Sequence, residues 1–144
     1  MLRYSLDGLA VVAGILLLLL VLLTLRRRFV QRGASFDASL RVTPKRFGQG
    51  WVLGVARYAD DRLEWFRAFS LSLRPHRVFP RDELILGARR DPEYPETLAV
   101  MPDHLIMAFT VGSEDLEFAM SAEAFTGFVA WRESSPPGRQ LSPP

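Results

Sequence analysis

No cysteine occurs among the 144 residues. That excludes disulfides, thiolate nucleophiles and Cys-type zinc sites, and it leaves the redox compartment open. Histidine is nearly as scarce, with His76 and His104 the two examples. A metal centre would have to gather carboxylates from distant loops, so neither a metal nor a cofactor is expected. His104 follows a Pro-Asp turn and is expected at a strand edge. Lysine appears once, as Lys45, a skew we attribute to genome composition. There is no Gly-x-Ser-x-Gly elbow; Ser70 and Ser72 lie near His76, but strand alternation puts both serines on the polar parity, so no hydrolytic triad is expected. The run GQGWVLG spaces its glycines as Gly-x-Gly-x-x-x-Gly and leads into a strand, where a dinucleotide loop leads into a helix. Asp60-Asp61 and Asp82-Glu83 suit a turn and a strand start rather than a glycosidase pair. No enzyme is expected, and no small-molecule substrate.

A net positive charge is also missing from most of the chain, although the formal net charge of the whole is +2. From Phe47 onward there are ten basic and fourteen acidic residues. The basicity is concentrated between Arg26 and Arg46, where seven basic residues face one acid, Asp37. A protein that binds phosphate backbones concentrates positive charge on its folded surface, so no nucleic-acid partner is expected.

What the chain does have is a wall of leucine. Leu9 to Leu25 is apolar except for Thr24, and at about 1.5 Å per residue it spans roughly 25 Å, close to a hydrocarbon core. Arginine stems can snorkel to cover the difference. A small domain has no room to bury a helix that is apolar all round, so Leu9, Ile15, Leu20 and Leu25 are read as positions of a transmembrane anchor. A cleaved signal peptide has its charge in front of the apolar core; here Arg3 stands alone in front and Arg26, Arg27 and Arg28 follow. Basic flanks stay in the cytoplasm, which places the N-terminus outside and the rest at the inner face of the plasma membrane. Arg26, Arg27, Arg28 and Arg32 then form a collar able to meet anionic headgroups, at about 1 kcal/mol per residue.

After this anchor (1–28), residues 29–46 read as a linker with a first short strand around Ala38 to Val42. Trp51 to Tyr58 alternates, ADDR has turn chemistry, and Leu63, Trp65, Phe69, Leu71 and Leu73 share one parity, with Arg67 breaking it. That pattern predicts a hairpin. Further strands are expected at Glu83–Ala88, Thr97–Met101, His104–Val111 and around Leu116, Phe118 and Met120. The period then becomes helical: Ser121 can cap, Glu123 suits the first turn, and Ala124, Phe125, Phe128, Val129 and Trp131 form a stripe. Residues 134–144, rich in Pro and Ser, are expected to be a disordered tail. The domain at 47–133 is thus mainly β: about seven antiparallel strands in a barrel or sandwich closed by one C-terminal amphipathic helix. This order of elements resembles pleckstrin-homology-like domains. Lipid-binding members of that group carry basic residues on the first hairpin loop; the acidic Asp60-Asp61-Arg62 here argues against that mode.

The segments GWVLGVARYADDRLEWFR, SLSLRPHRVFPRDELILGARR and FTGFVAWRES, together with the single N-terminal span, resemble an actinobacterial family of short single-pass membrane proteins classed as a domain of unknown function. The resemblance implies a membrane location and no particular chemistry. One Pro-bounded loop, SLRPHRVFPR, brings Arg74, His76, Arg77 and Arg81 near one another in sequence as candidates for an anion or an acidic partner, since arginine forks suit phosphate oxygens. Solvated arginines paired with Asp82, Glu83 or other carboxylates are the alternative. The function expected is a binding or scaffolding module on the membrane, with lipids and an unidentified protein as partners. The other expectation is an accessory subunit or assembly factor whose helix packs on other spans through Gly8, Ala10, Ala13 and Gly14.

Overall fold

The computed structural model describes residues 2–30, 32–42 and 48–134, with backbone alone for 2–6. Helix α1 (Leu2–Val30) is followed by strands β1 (Ser35–Val42), β2 (Trp51–Val52), β3 (Gly54–Ala59), β4 (Arg62–Arg67), β5 (Arg77–Pro80), β6 (Leu84–Arg90), β7 (His104–Val111) and β8 (Glu114–Ser121), and by helix α2 (Ala122–Glu133). The expectations for Lys45 and Arg46 and for the tail beyond Ser134 fall outside the described residues.

The strands form one curled antiparallel sheet in the order β5-β4-β3-β1-β8-β7-β6, with β2 also on β1. One strand joins the two halves. Ser35 to Asp37 of β1 pair with β3, and Ala38 to Val42 pair with β8. The sheet has two ends, β5 and β6, connected by the short turn Arg81–Glu83, so it is a half-barrel rather than a closed one. With α2 after the last strand, the order is that expected from the sequence, seven strands on one path and one closing helix.

Local chemistry explains the turns. Asp60, in the β3–β4 turn, has φ 48°, a left-handed conformation that Asp tolerates better than most residues. Gly112 takes φ 60° between β7 and β8. Gly54 is required for another reason: a Cβ there would overlap the Trp65 indole and the Phe66 carbonyl. Inside the curl, Phe79 meets Phe109 and Phe118 edge-on at 5.6 and 5.7 Å, and Phe109 stacks on Phe118 at 4.5 Å. Side chains of this size each contribute about 1.5–3 kcal/mol on full burial. Helix α2 starts with the Ser121 hydroxyl accepting from the Ala124 amide at 3.1 Å. It buries Phe128, and Arg132 Nε donates to the Leu84 carbonyl at 2.9 Å, tying the helix to β6.

Three expectations need correction. The first strand begins at Ser35, inside the segment expected to be linker, because its first residues complete the ladder with β3. The second hairpin strand stops at Arg67; Phe69, Leu71 and Leu73 share its parity but lie on an irregular segment, 88%, 56% and 54% exposed. Thr97–Met101 is not a strand. Glu96–Leu98 forms a 3-10 turn in which the Ala99 and Val100 amides both donate to the Glu96 carbonyl. The short apolar run Leu98–Met101, bounded by Pro102-Asp103, reads like a strand, but Leu98 faces out and Val100 in, where two residues of one strand parity would share a face.

Candidate functional site

The first place where charge and exposure meet is the end of α1. Between Asp7 and Val30 the helix is long and apolar enough to cross a membrane; its most apolar 18 residues have a mean hydropathy of 3.0, and none of them is buried against the domain. Leu9, Ile15, Leu20 and Leu25 are all exposed. Arg27, Arg28 and Arg32 are exposed too, with the Arg32 guanidinium 5.8 Å from the centre of the Phe29 ring. Arg26 departs from the collar it was assigned to. It is buried, and its guanidinium donates to the carbonyls of Ser72 at 2.9 Å, Ala68 at 3.3 Å and Arg67 at 2.9 Å. The physical reason is local: the segment after β4 leaves the sheet and turns its carbonyls outward, and a guanidinium fork satisfies several at once. Between α1, this segment and the sheet runs a cleft of about 320 Å³, whose lining includes Leu23, Arg26, Arg27, Asp37, Arg67 and Phe69.

The basic loop does not gather its four residues into one cradle. Arg74 and His76 are exposed. Arg77, on β5, pairs with Glu114 and lies 5.7 Å from the Phe79 ring centre. Arg81 donates to the Asp60 carbonyl and sits 4.4 Å over the Trp131 ring, so it joins the hairpin turn to α2. His76 packs edge-on against Trp65 at 5.9 Å. Desolvation there, followed by repulsion from Arg67 and Arg77, lowers its pKa. The serine hydroxyls serve the backbone: Ser70 Oγ accepts from the Ser72 amide at 3.2 Å, and Ser72 Oγ accepts from the Arg74 amide at 3.2 Å.

A second charged cluster was not foreseen. On the outer face of the β1–β8 half, Arg41 Nε donates to Glu117 Oε2 at 2.6 Å, and Arg41 also reaches Glu96 Oε1 at 3.3 Å. Arg90 grips Glu96 through two bonds of 2.6 and 2.8 Å and touches Glu117 at 3.1 Å. Two guanidinium groups and two carboxylates thus neutralise one another under the 91–103 segment, with Glu96 wholly buried. The hydrogen bonds from Arg90, opposed by burial, hold the Glu96 carboxyl below its ordinary range, and the same bonds raise the Arg90 pKa. Arg41 also lies 5.1 Å from the Trp51 ring centre. Arg41 is one of the seven basic residues between Arg26 and Arg46, but its charge is cancelled on the sheet. A signal existed, because Arg41 and Glu117 face one another across β1 and β8, but that register is a tertiary fact.

Elsewhere, His104 opens β7 and lines a cavity of about 370 Å³ with Arg89 and Asp91. No group of three or more His, Cys, Asp or Glu suited to a metal ion occurs among the described residues.

These features define an N-terminal apolar helix joined to a curled antiparallel half-barrel with one closing helix, with several arginines gathered where the two meet. The chain belongs to the family described as "Protein of unknown function (DUF2550)", which it matches over residues 12–138. It is 29% identical over 137 residues to the uncharacterized protein Rv1312 of Mycobacterium tuberculosis (strain ATCC 25618 / H37Rv), covering 92% of each chain. It is 30% identical over 104 residues to the uncharacterized protein ML1147 of Mycobacterium leprae (strain TN), covering 69% of this chain and 71% of that one. Among solved structures, it is similar to the tandem PX-PH-domains of Bem3 from Saccharomyces cerevisiae, at a TM-score of 0.42 and 14% identity, over 69% of this chain and 39% of that one.

Proposed function

We propose that this chain is a single-pass membrane protein whose half-barrel is a non-catalytic binding or scaffolding module, held at the inner face of the plasma membrane. The observation that carries this reading is the contrast along α1: an apolar run open on all sides, ending in an arginine fastened to the domain by three carbonyls. A free linker would let the domain wander; this tie holds it beside the span. Arg27, Arg28 and Arg32 remain for anionic headgroups, and Arg74 is the member of the basic loop open to an acidic ligand. A protein partner would be met by the sheet or by α2, and tethering raises the local concentration of the module for anything else on that surface.

Topology is the test. Ser134 is exposed and the chain has no cysteine, so Ser134→Cys supplies a single thiol. Labelling by a membrane-impermeant maleimide only after lysis supports the cytoplasmic placement; labelling in intact cells overturns it. One observation favours the accessory-subunit reading: a Cβ at Gly8 or Gly14 would meet nothing within 4 Å, which leaves room for a second helix. Full function with a scrambled, equally apolar span would remove that reading.

A further inference from the structure

The segment after β4 turns apolar side chains to the outside beside the end of α1. Phe69 is 88% exposed, Leu71 56% and Leu73 54%, three apolar side chains within five residues, bounded by the exposed Arg67 and Arg74. We propose that this segment is a second membrane contact, a wedge that enters the lipid interface beside the end of α1. The inference rests on α1 being a membrane span.

Three observations point to lipid as the occupant. First, the segment is tied to the span: all three hydrogen bonds made by the Arg26 guanidinium go to carbonyls between Arg67 and Ser72. Second, helical side chains lean toward the N-terminus, so a group held by Arg26 lies beside the turn before it, the last apolar turn of α1. Leu23 of that turn and Phe69 of the segment accordingly line the same cleft. The apolar surface of the span is therefore continuous with that of the wedge. Third, the charge is right for the place. Arg27, Arg28, Arg67 and Arg74 flank these apolar groups, and an aromatic ring with leucines among arginines is the composition of an interfacial anchor. The carbonyls around Arg26 satisfy its N–H groups without neutralising it, and with three arginines to one carboxylate, Asp37, on the cleft the junction keeps a net positive charge, which favours an anionic surface over an apolar protein face.

The full chain, reconstituted in phosphatidylcholine–phosphatidylglycerol vesicles, tests this with single thiols carrying an environment-sensitive fluorophore. Leu71→Cys reports on the wedge, Leu17→Cys on the span, and Ile85→Cys, an exposed apolar residue of β6, on an unrelated surface. Nitroxides on the lipid chains, near the headgroup or near the methyl end, give depth, and aqueous iodide gives water access. We expect the Leu71 label to lose most of its emission to the shallow nitroxide, the Leu17 label to the deep one, and the Ile85 label to iodide alone. Adding Arg26→Gln should release the wedge and lower quenching at Leu71 while leaving Leu17 unchanged. A Leu71 label quenched by iodide and not by lipid, with Leu17 still quenched, overturns the wedge and leaves the anchor standing. A Leu71 label shielded from both means that a second copy covers the segment, and overturns it as well. Loss of lipid quenching at Leu17 overturns the anchor and the wedge together. All three sites are exposed, so unaltered tryptophan emission is expected as the sign that folding is intact.

Discussion

Arg26 and Arg41 are both buried, at 8% and 5% exposure, and they teach opposite lessons. Arg41 is matched by carboxylates: Glu96 and Glu117 take its charge, Arg90 completes the set, and the 91–103 segment closes over them. Arg26 is matched by carbonyls, which satisfy its N–H groups and leave its charge intact. The first region is neutral and self-contained. The second is positive and open, with apolar side chains facing outward beside it. Burial of an arginine therefore does not by itself mark a structural residue; what compensates the charge decides whether the region is finished or still requires a partner surface.

Removing Glu96 should break this comparison most severely. Glu96→Ala leaves Arg41 and Arg90 short of a buried counter-charge, and losing one member of such a network costs about 3–5 kcal/mol. Denaturant unfolding of the full chain in micelles, followed by tryptophan emission, measures it. Acid should act on the same residue. Because the folded state holds the Glu96 carboxyl below its ordinary range, the unfolded chain binds more protons, so this stabilisation is complete above a pH of about 4.3 and is lost as pH falls below it. Glu64 adds to the same window: burial raises its pKa, and the bonds from Arg57 and Arg62 lower it further than that. Glu96→Gln should flatten the acid limb, read as the shift of the unfolding midpoint between neutral and acid buffers.

Arg26→Ala should cost less, about 1–3 kcal/mol for hydrogen bonds from a charged donor, and its main effect should be local. Hydrogen exchange should accelerate in the amides of residues 68–73 and stay unchanged in β7 and β8. The Ser121→Ala change tests the helix start alone and is expected to cost about 1 kcal/mol by the same unfolding assay. The smallest effect belongs to Glu114→Ala. Its partner Arg77 is about one-third exposed and Glu114 itself 39% exposed, so the pair contributes within about 1 kcal/mol, and a midpoint almost equal to that of the unaltered chain is expected.

Much of this was legible in the residues. The apolar helix, the Asp60-Asp61 turn, the alternation of β7 and β8 and the Ser121 cap are local patterns, and each is present. The seven-strand path with its closing helix follows from counting them. Two of the failures share one cause. Leu71 and Leu73 continue the parity of β4, and Leu98 to Met101 is a short apolar run of strand length, yet neither segment finds a neighbouring strand to pair with. Parity records which side a residue could face, and it is silent on whether a ladder exists to face from. The basic loop shows the same limit: Arg77 and Arg81 stand close to Arg74 in sequence, but Glu114 and Trp131, from the other half of the chain, draw them to different surfaces.

What the sequence by itself determined is the division of the molecule: an apolar helix of membrane length, a run of arginine at its end, a small mainly-β domain and one closing helix. Those depend on composition and on periods of two and three to four residues, which neighbours along the chain set between themselves. Only the tertiary structure decided which arginines keep their charge. Arg41 meets Glu117 across 76 residues and Arg26 meets the Ser72 carbonyl across 46. Whether a guanidinium ends among carboxylates or carbonyls depends on the strand register and on where β4 stops, and these are settled when the sheet closes on its core.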